Sequence, residues 1–322
     1  MGWLANRHPR VNTIPGAGLA AVALIFNAFT WGVSWWPFRQ LQGLGLHPLW
    51  ATVLIFSLAV AAITLWRPRA WGMLFSMPVL WVLVLASGTT NAAFNWAVTL
   101  GDVVRVILLF YLMPLWAVLL ARALLGERIT PAALLRVALA LAGAGLVLAT
   151  GKTAGVGSAA SAAVAADVAD VATVTLGLPV PRSLAEWLAV LGGFSFALNN
   201  VMLKRESARP AEARALAMFL GGALVAGVLA LSLPGSVPPP PPLAWVWVLG
   251  ALGMGLWFVA ANLALQYGAG RLPANVTAVI MVTEVLFASV SAIALGAGTL
   301  TLPLAVGGAM ILGASLLSAR SH

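Results

Sequence analysis

Apolar residues fall in ten long blocks separated by short polar or proline-bearing connectors. The blocks run over roughly 17–38, 48–66, 74–98, 103–125, 131–150, 184–204, 213–233, 243–267, 273–296 and 301–319. Each is near the ~20 residues that a helix rising ~1.5 Å per residue needs to cross a ~30 Å hydrocarbon core. Pro48, Pro131, Pro210 and Pro273 precede or open blocks, where a missing N–H does little harm. The most uniform block, Val103–Glu127, carries polar or breaking marks only at Arg105, Pro114, Arg122 and Gly126-Glu127. Pro273–Ala297 has the same design: Glu284 stands 12 residues before Gly296, as Pro114 stands 12 before Gly126. The pattern predicts an all-α polytopic membrane protein with ten transmembrane helices.

Composition agrees. Hydrophobic residues make up 62% of the 322 and charged ones 8%, with a mean hydropathy of +1.02. A soluble domain averages about 25% charged. The net charge of +9 sits in the connectors, where it sets topology and anchoring and calls for no nucleic acid. With the N-terminus inside, 13 basic residues fall on inner segments and four (Arg39, Arg105, Lys152, Arg182) on outer ones. Both termini are therefore expected in the cytoplasm of a bacterial-type inner membrane. Arg7 and Arg10 ahead of an apolar run resemble a signal peptide, but the 17–38 block is too long for one and reads as the first span. No cysteine is present, and His8, His47 and His322 all lie outside the apolar blocks, so no His/Cys metal cluster and no cofactor are expected.

Two stretches are not read as spans. Gly151–Arg182 is rich in Ala, Gly and Val, carries Asp167 and Asp170, and is expected to be a flexible outer linker. Pro238–Pro242 is a stiff extended connector. Residues 1–150 and 183–322 look like copies. With an offset of 170, Gly126 falls on Gly296, and Gly143-Ala144-Gly145-Leu146 falls on Gly313-Ala314-Ser315-Leu316. Five spans per copy would insert the second upside down, the inverted-repeat plan of secondary transporters.

These features make the chain resemble the drug/metabolite transporter superfamily, with two EamA-type repeats. The likeness rests on Trp31-Gly32, on Pro114-Leu115-Trp116 with Gly126-Glu127, and on the small-residue block Ala138–Gly145. The second half departs from the pattern at Glu284 and Ala297. The resemblance implies an exporter of a small organic metabolite such as an amino acid, working by alternating access, with proton coupling as an option. The absence of GxxxxGK[ST] argues against direct use of ATP. The rival classes are an intramembrane enzyme, for which one deep glutamate is too little, and a non-transporting receptor or scaffold.

Candidate chemistry centres on Glu284. An acid at that depth must face a partner or a water-filled cavity. Thr277, Met281, Ala288 and Ser291 share its helical face, and a protonatable coupling site competes there with a neutral packing acid. Substrate-binding candidates are Trp31, Trp35, Asn91, Asn95, Tyr111, Asn199, Asn200, Trp257, Asn262 and Glu284. Interhelical glue is the alternative for each asparagine, and a membrane-interface belt for Trp35. Arg105, beside Asp102, is read as a structural ion pair or as an anion-attracting outer gate. Trp66, Trp71, Trp187, Trp245 and Trp247 are expected in the interfacial belt. Small residues at 138 and 142, and at 305, 309 and 313, mark close-packing faces between the halves or between two copies in a homodimer. The expected partners are thus a small-molecule solute and lipid.

Overall fold

The computed structural model describes residues 17–126, 129–149, 180–269, 271–272, 280–281 and 283–319. All the regular structure among them is helical. The helices are α1 (Ala17–Val33), α2 (Trp35–Gly43), α3 (Pro48–Trp66), α4 (Arg69–Ser76), α5 (Leu80–Leu100), α6 (Val103–Phe110) and α7 (Met113–Leu125). They continue with α8 (Pro131–Ala149), α9 (Leu184–Arg205), α10 (Ala211–Ser232), α11 (Trp245–Ala269), α12 (Thr283–Ala294) and α13 (Leu302–Ala319).

Among the described residues, six helical stretches are long and apolar enough to cross a membrane, and α4 with α5 makes a seventh if that bent pair is one span. Shorter apolar helices cover Pro131–Val147, Thr283–Ala294 and Leu302–Ala314. Their outward faces carry Leu19, Val22, Leu85, Leu231 and Val290, all exposed, which is how a lipid-facing surface is built. The chain is a multi-pass membrane protein.

Three predicted spans differ in detail. The first is longer than expected: α1 and α2 run as one stretch from Gly18 to Gly43. The third begins with a sharp corner, because α4 and α5 meet at 104° around Met77–Val79. Pro78 lacks an N–H and disfavours helical geometry in Met77, so the helix cannot run straight through. The fourth is broken at Tyr111–Leu112, with Pro114 in the opening turn of α7, where its missing donor leaves no gap in the ladder. Of the predicted 273–296 span, residues 273–279 and 282 lie outside the described residues, as does the linker over 150–179.

Gly126 and Gly296, matched by the offset of 170, both adopt left-handed backbone, with φ of 71° and 67°. A glycine there accepts the conformation without a Cβ penalty and ends the helix before it. α8 and α13 pack on each other through Gly143 and Gly307: a Cβ on Gly143 would stand 2.5 Å from the Gly307 carbonyl oxygen. The small-residue positions expected to form close-packing faces lie elsewhere: Ala138, Ala142 and Ala309 are exposed, and Ala305 and Gly313 are half-buried. The proline run is fastened at both ends, since Trp50 Nε1 donates to the Pro238 carbonyl (3.1 Å) and Trp247 Nε1 to that of Pro242 (3.0 Å). Trp247 is thereby buried, contrary to the belt position expected of it, whereas Trp66, Trp187 and Trp245 are exposed.

The main buried cluster surrounds α6, whose Val103–Phe110 residues are nearly all enclosed. It joins Trp35, the end of α5, the start of α9, and the inner faces of α8, α12 and α13. This core holds the break in the fourth span against α12.

Candidate functional site

Where α6 stops, Tyr111 is buried and turned toward α12. Its hydroxyl is within side-chain hydrogen-bonding reach of the Glu284 carboxyl on α12. Broken helix and acid therefore meet: the proline-bearing fourth span supplies the phenol, and the corresponding position of the later span supplies the carboxylate. α1 closes the other side. A Cβ on Gly32 would stand 2.6 Å from the Glu284 carbonyl oxygen and 2.8 Å from Phe287 Cβ, so α1 and α12 touch backbone to backbone only because residue 32 is glycine.

The same face of α12 continues outward. Ala288 is fully buried, and Ser291, two turns beyond Glu284, accepts a hydrogen bond from Trp35 Nε1 at 2.9 Å. One turn further along the first span, the Arg39 guanidinium lies 5.5 Å from the centre of the Trp35 ring. Arg39 donates from Nε to Val98 O (2.9 Å) and from Nη2 to Gly101 O (2.5 Å), which places a cation at the carbonyl end of α5. A column of polar groups thus leads from Arg39 through Trp35 and Ser291 to Glu284 and Tyr111.

Arg39 also faces an open cavity of about 610 Å³, lined by Gln42, Thr99, Asp102, Thr299 and the backbone of Gly296–Gly298. Asp102 ties its walls together. One carboxylate oxygen caps α6 by accepting from Arg105 N (2.9 Å), and the other accepts from Thr299 N (2.9 Å), 197 residues away. Val103 N donates to Ala297 O (3.2 Å) alongside. The mouth is built from both ends of the sequence.

The remaining candidates divide. Trp31 packs edge-on against Phe258, with ring centres 4.5 Å apart, and shares with Asn262, Phe56 and Phe219 a crevice of about 10 Å³, room for one water. Asn95 is fully buried and donates to Thr52 Oγ1 (3.0 Å); its amide oxygen has no partner among the described residues, and neither has that of buried Asn199. Asn91 turns back on its own helix, donating to Ser87 O (2.8 Å). Asn200 is exposed and does not share an inner surface with Asn199. Trp257 joins Phe29 and Phe287 in an aromatic group whose Phe29 is 40% exposed, so it sits to one side of the column. Arg105 is paired with α9: its Nε lies 2.6 Å from Glu186 Oε1, with both side chains largely enclosed. Asp102 caps its backbone and leaves the side chain to Glu186, which corrects the expected Arg105–Asp102 pair.

Sequence reasoning singled out Arg105, with Asp102 only as its partner, and did not make Arg39 a site residue. The available signal was an arginine one turn beyond a tryptophan pair, but its partners are some 60 residues away. No group of three His, Cys, Asp or Glu among the described residues is placed to hold a metal ion.

The described residues thus form an all-helical membrane body with an enclosed acid and a polar mouth. Residues 18–149 match the EamA-like transporter family, so this part of the chain is an EamA-type domain and the resemblance to the drug/metabolite transporter superfamily stands on it. A 115-residue segment is 34% identical to the chloramphenicol-sensitive protein RarD of Pseudomonas aeruginosa, spanning 33% of this chain and 38% of that relative. The overall fold is shared with a protein of known crystal structure at 21% identity and a TM-score of 0.56, over 93% of this chain and 95% of that one.

Proposed function

We propose that the chain is a secondary carrier that exports a small organic solute across the inner membrane by alternating access. Residues 1–150 and 183–322 would form two inverted five-helix halves, with the 151–182 linker and the mouth at Arg39 outside. Seven long spans and the three shorter apolar helices then make ten. Packing supports the two-fold plan. Exchanging the first five spans for the last five turns the α5–α9 contact into α11–α1, α5–α10 into α11–α3, and α6–α9 into α12–α1, and all of these contacts occur.

One observation carries the reading: the Tyr111–Glu284 hydrogen bond, made across the two halves at the inner end of a polar column. Tyr111 can donate to the carboxylate or accept from the protonated acid, so the pair stays bonded in either state. A carboxyl held this way can release its proton to hydrated surroundings, receive a cationic group of the solute, and take up a proton again as the cavity closes. Trp35 and Tyr111 would offer apolar surface beside it, with Trp31 and Asn262 flanking. Reconstituted protein should move a radiolabelled solute, chosen by thermal-shift screening of amines and amino acids, and Glu284→Gln should uncouple that movement from protons. Failure of the parent protein to move any stabilising compound would favour a receptor or scaffold.

A further inference from the structure

We propose that the corner between α3 and α5 is a docking platform for the headgroup of an anionic phospholipid in the cytoplasmic leaflet. Because α4 meets α5 at 104°, α4 lies along the membrane surface wherever α5 crosses the membrane. Its inner face is settled: Ala70 and Leu74 are fully buried against Ala213, Leu216 and Ala217 of α10. The opposite face is aromatic and rigid. Trp71 donates from Nε1 to Thr64 Oγ1 (3.0 Å) and stacks on Phe75, with centres 6.1 Å apart and planes inclined by 23°; Phe75 in turn meets Trp81 at 5.9 Å. Phe75 stays 64% exposed and Trp66, at the end of α3, 75% exposed.

Arg67 and Arg69 flank this shelf and are both exposed. Neither forms an ion pair among the described residues. No acidic residue precedes Asp102 in the sequence, and on the neighbouring α10 the acid beside Ala213 is Glu212, for which no ion pair with either arginine is found among the described residues. Two guanidiniums beside indole and phenyl rings at membrane-surface depth present bidentate donors for a phosphodiester, together with a floor for the glycerol and upper acyl chain. The charge selects an anionic lipid over a zwitterionic one. This surface is on the lipid side of the fold, away from the column, and does not depend on the transport reading.

Native mass spectrometry of the full chain in detergent, titrated with palmitoyl-oleoyl phosphatidylglycerol or the matching phosphatidylcholine, tests it. The first phosphatidylglycerol should bind at least fivefold more tightly than phosphatidylcholine. Arg67→Gln with Arg69→Gln should weaken phosphatidylglycerol about tenfold and leave phosphatidylcholine unchanged. The double lysine variant should keep most of the preference, and Arg122→Gln, a basic residue without the aromatic shelf, should have no effect. Equal binding of the two lipids by the parent protein overturns the proposal. So does a double glutamine variant that keeps its preference, or one that loses both lipids alike.

Discussion

The Tyr111 hydroxyl and the Glu284 carboxyl are joined by side-chain hydrogen bonding that links the break in the fourth span to α12. The bond links residues 173 positions apart and brings the helix carrying Pro114 onto the helix carrying the deep acid. Tyr111→Phe keeps the ring and removes only the donor. It should lower stability by about 1–2 kcal/mol in reversible unfolding from detergent, the usual worth of one such bond. Solute exchange should slow as well, because the acid loses its fixed orientation.

Gly32 sets the approach of α1 to that acid. Gly32→Ala should destabilise by about 1–3 kcal/mol, since the added methyl meets backbone and a Cβ that cannot swing aside. Gly253→Ala, where nothing stands within 4 Å, should be neutral or mildly stabilising. Thermal melts of the two variants side by side check the contrast.

Arg105 and Glu186 hold α6 to α9 through a 2.6 Å contact between enclosed side chains. Replacing either by Gln should cost about 2–3 kcal/mol, because a charge is then stranded in partly buried surroundings. The double variant should recover part of that loss, with a coupling of about 1–3 kcal/mol in a double-mutant cycle. Independent, additive losses would show that the pair is not an interaction.

His47 makes stability sensitive to acid. It is buried between the first two spans, where its Nδ1 accepts from Leu49 N (3.2 Å) and its ring meets Trp96 at 5.3 Å. Burial lowers its pKa from the ordinary value of 6.5. The unfolded chain therefore takes up the proton first as pH falls. This contribution to stability is fully present above about pH 6.5 and is lost as pH drops toward the lower folded-state value. The melting temperature should fall between pH 7.5 and pH 5 in the parent protein. His47→Asn keeps a good N-cap without a titrating group and should lessen that fall.

The hydrophobic pattern was enough to read the membrane class, because lipid leaves the backbone few choices and long apolar runs become helices. It also located Glu284, since an acid inside such a run stands out. The corner at Pro78 and the break at Tyr111 were less legible. A proline within an apolar run permits either a kink or a fresh start, and packing decides between them. Arg105 and Arg39 show the limit most clearly. Both are lone outer arginines in sequence, yet one is locked to Glu186 on α9 and the other opens onto the mouth, a difference made by contacts 59 to 81 residues apart. The asparagines divided for the same reason: spacing assigns a helix face, and the neighbouring helix decides whether that face is enclosed.

The most direct test of the central claim is solute accumulation in proteoliposomes under an imposed pH gradient, comparing the parent protein with Glu284→Gln. Glutamine keeps the size and can still accept a hydrogen bond from Tyr111, but it cannot carry a proton on and off. The account predicts gradient-driven accumulation by the parent protein. The variant should stay folded and exchange solute down its own gradient but accumulate none. Equal accumulation by both proteins on the same pH gradient would contradict the account and leave Glu284 as a packing residue.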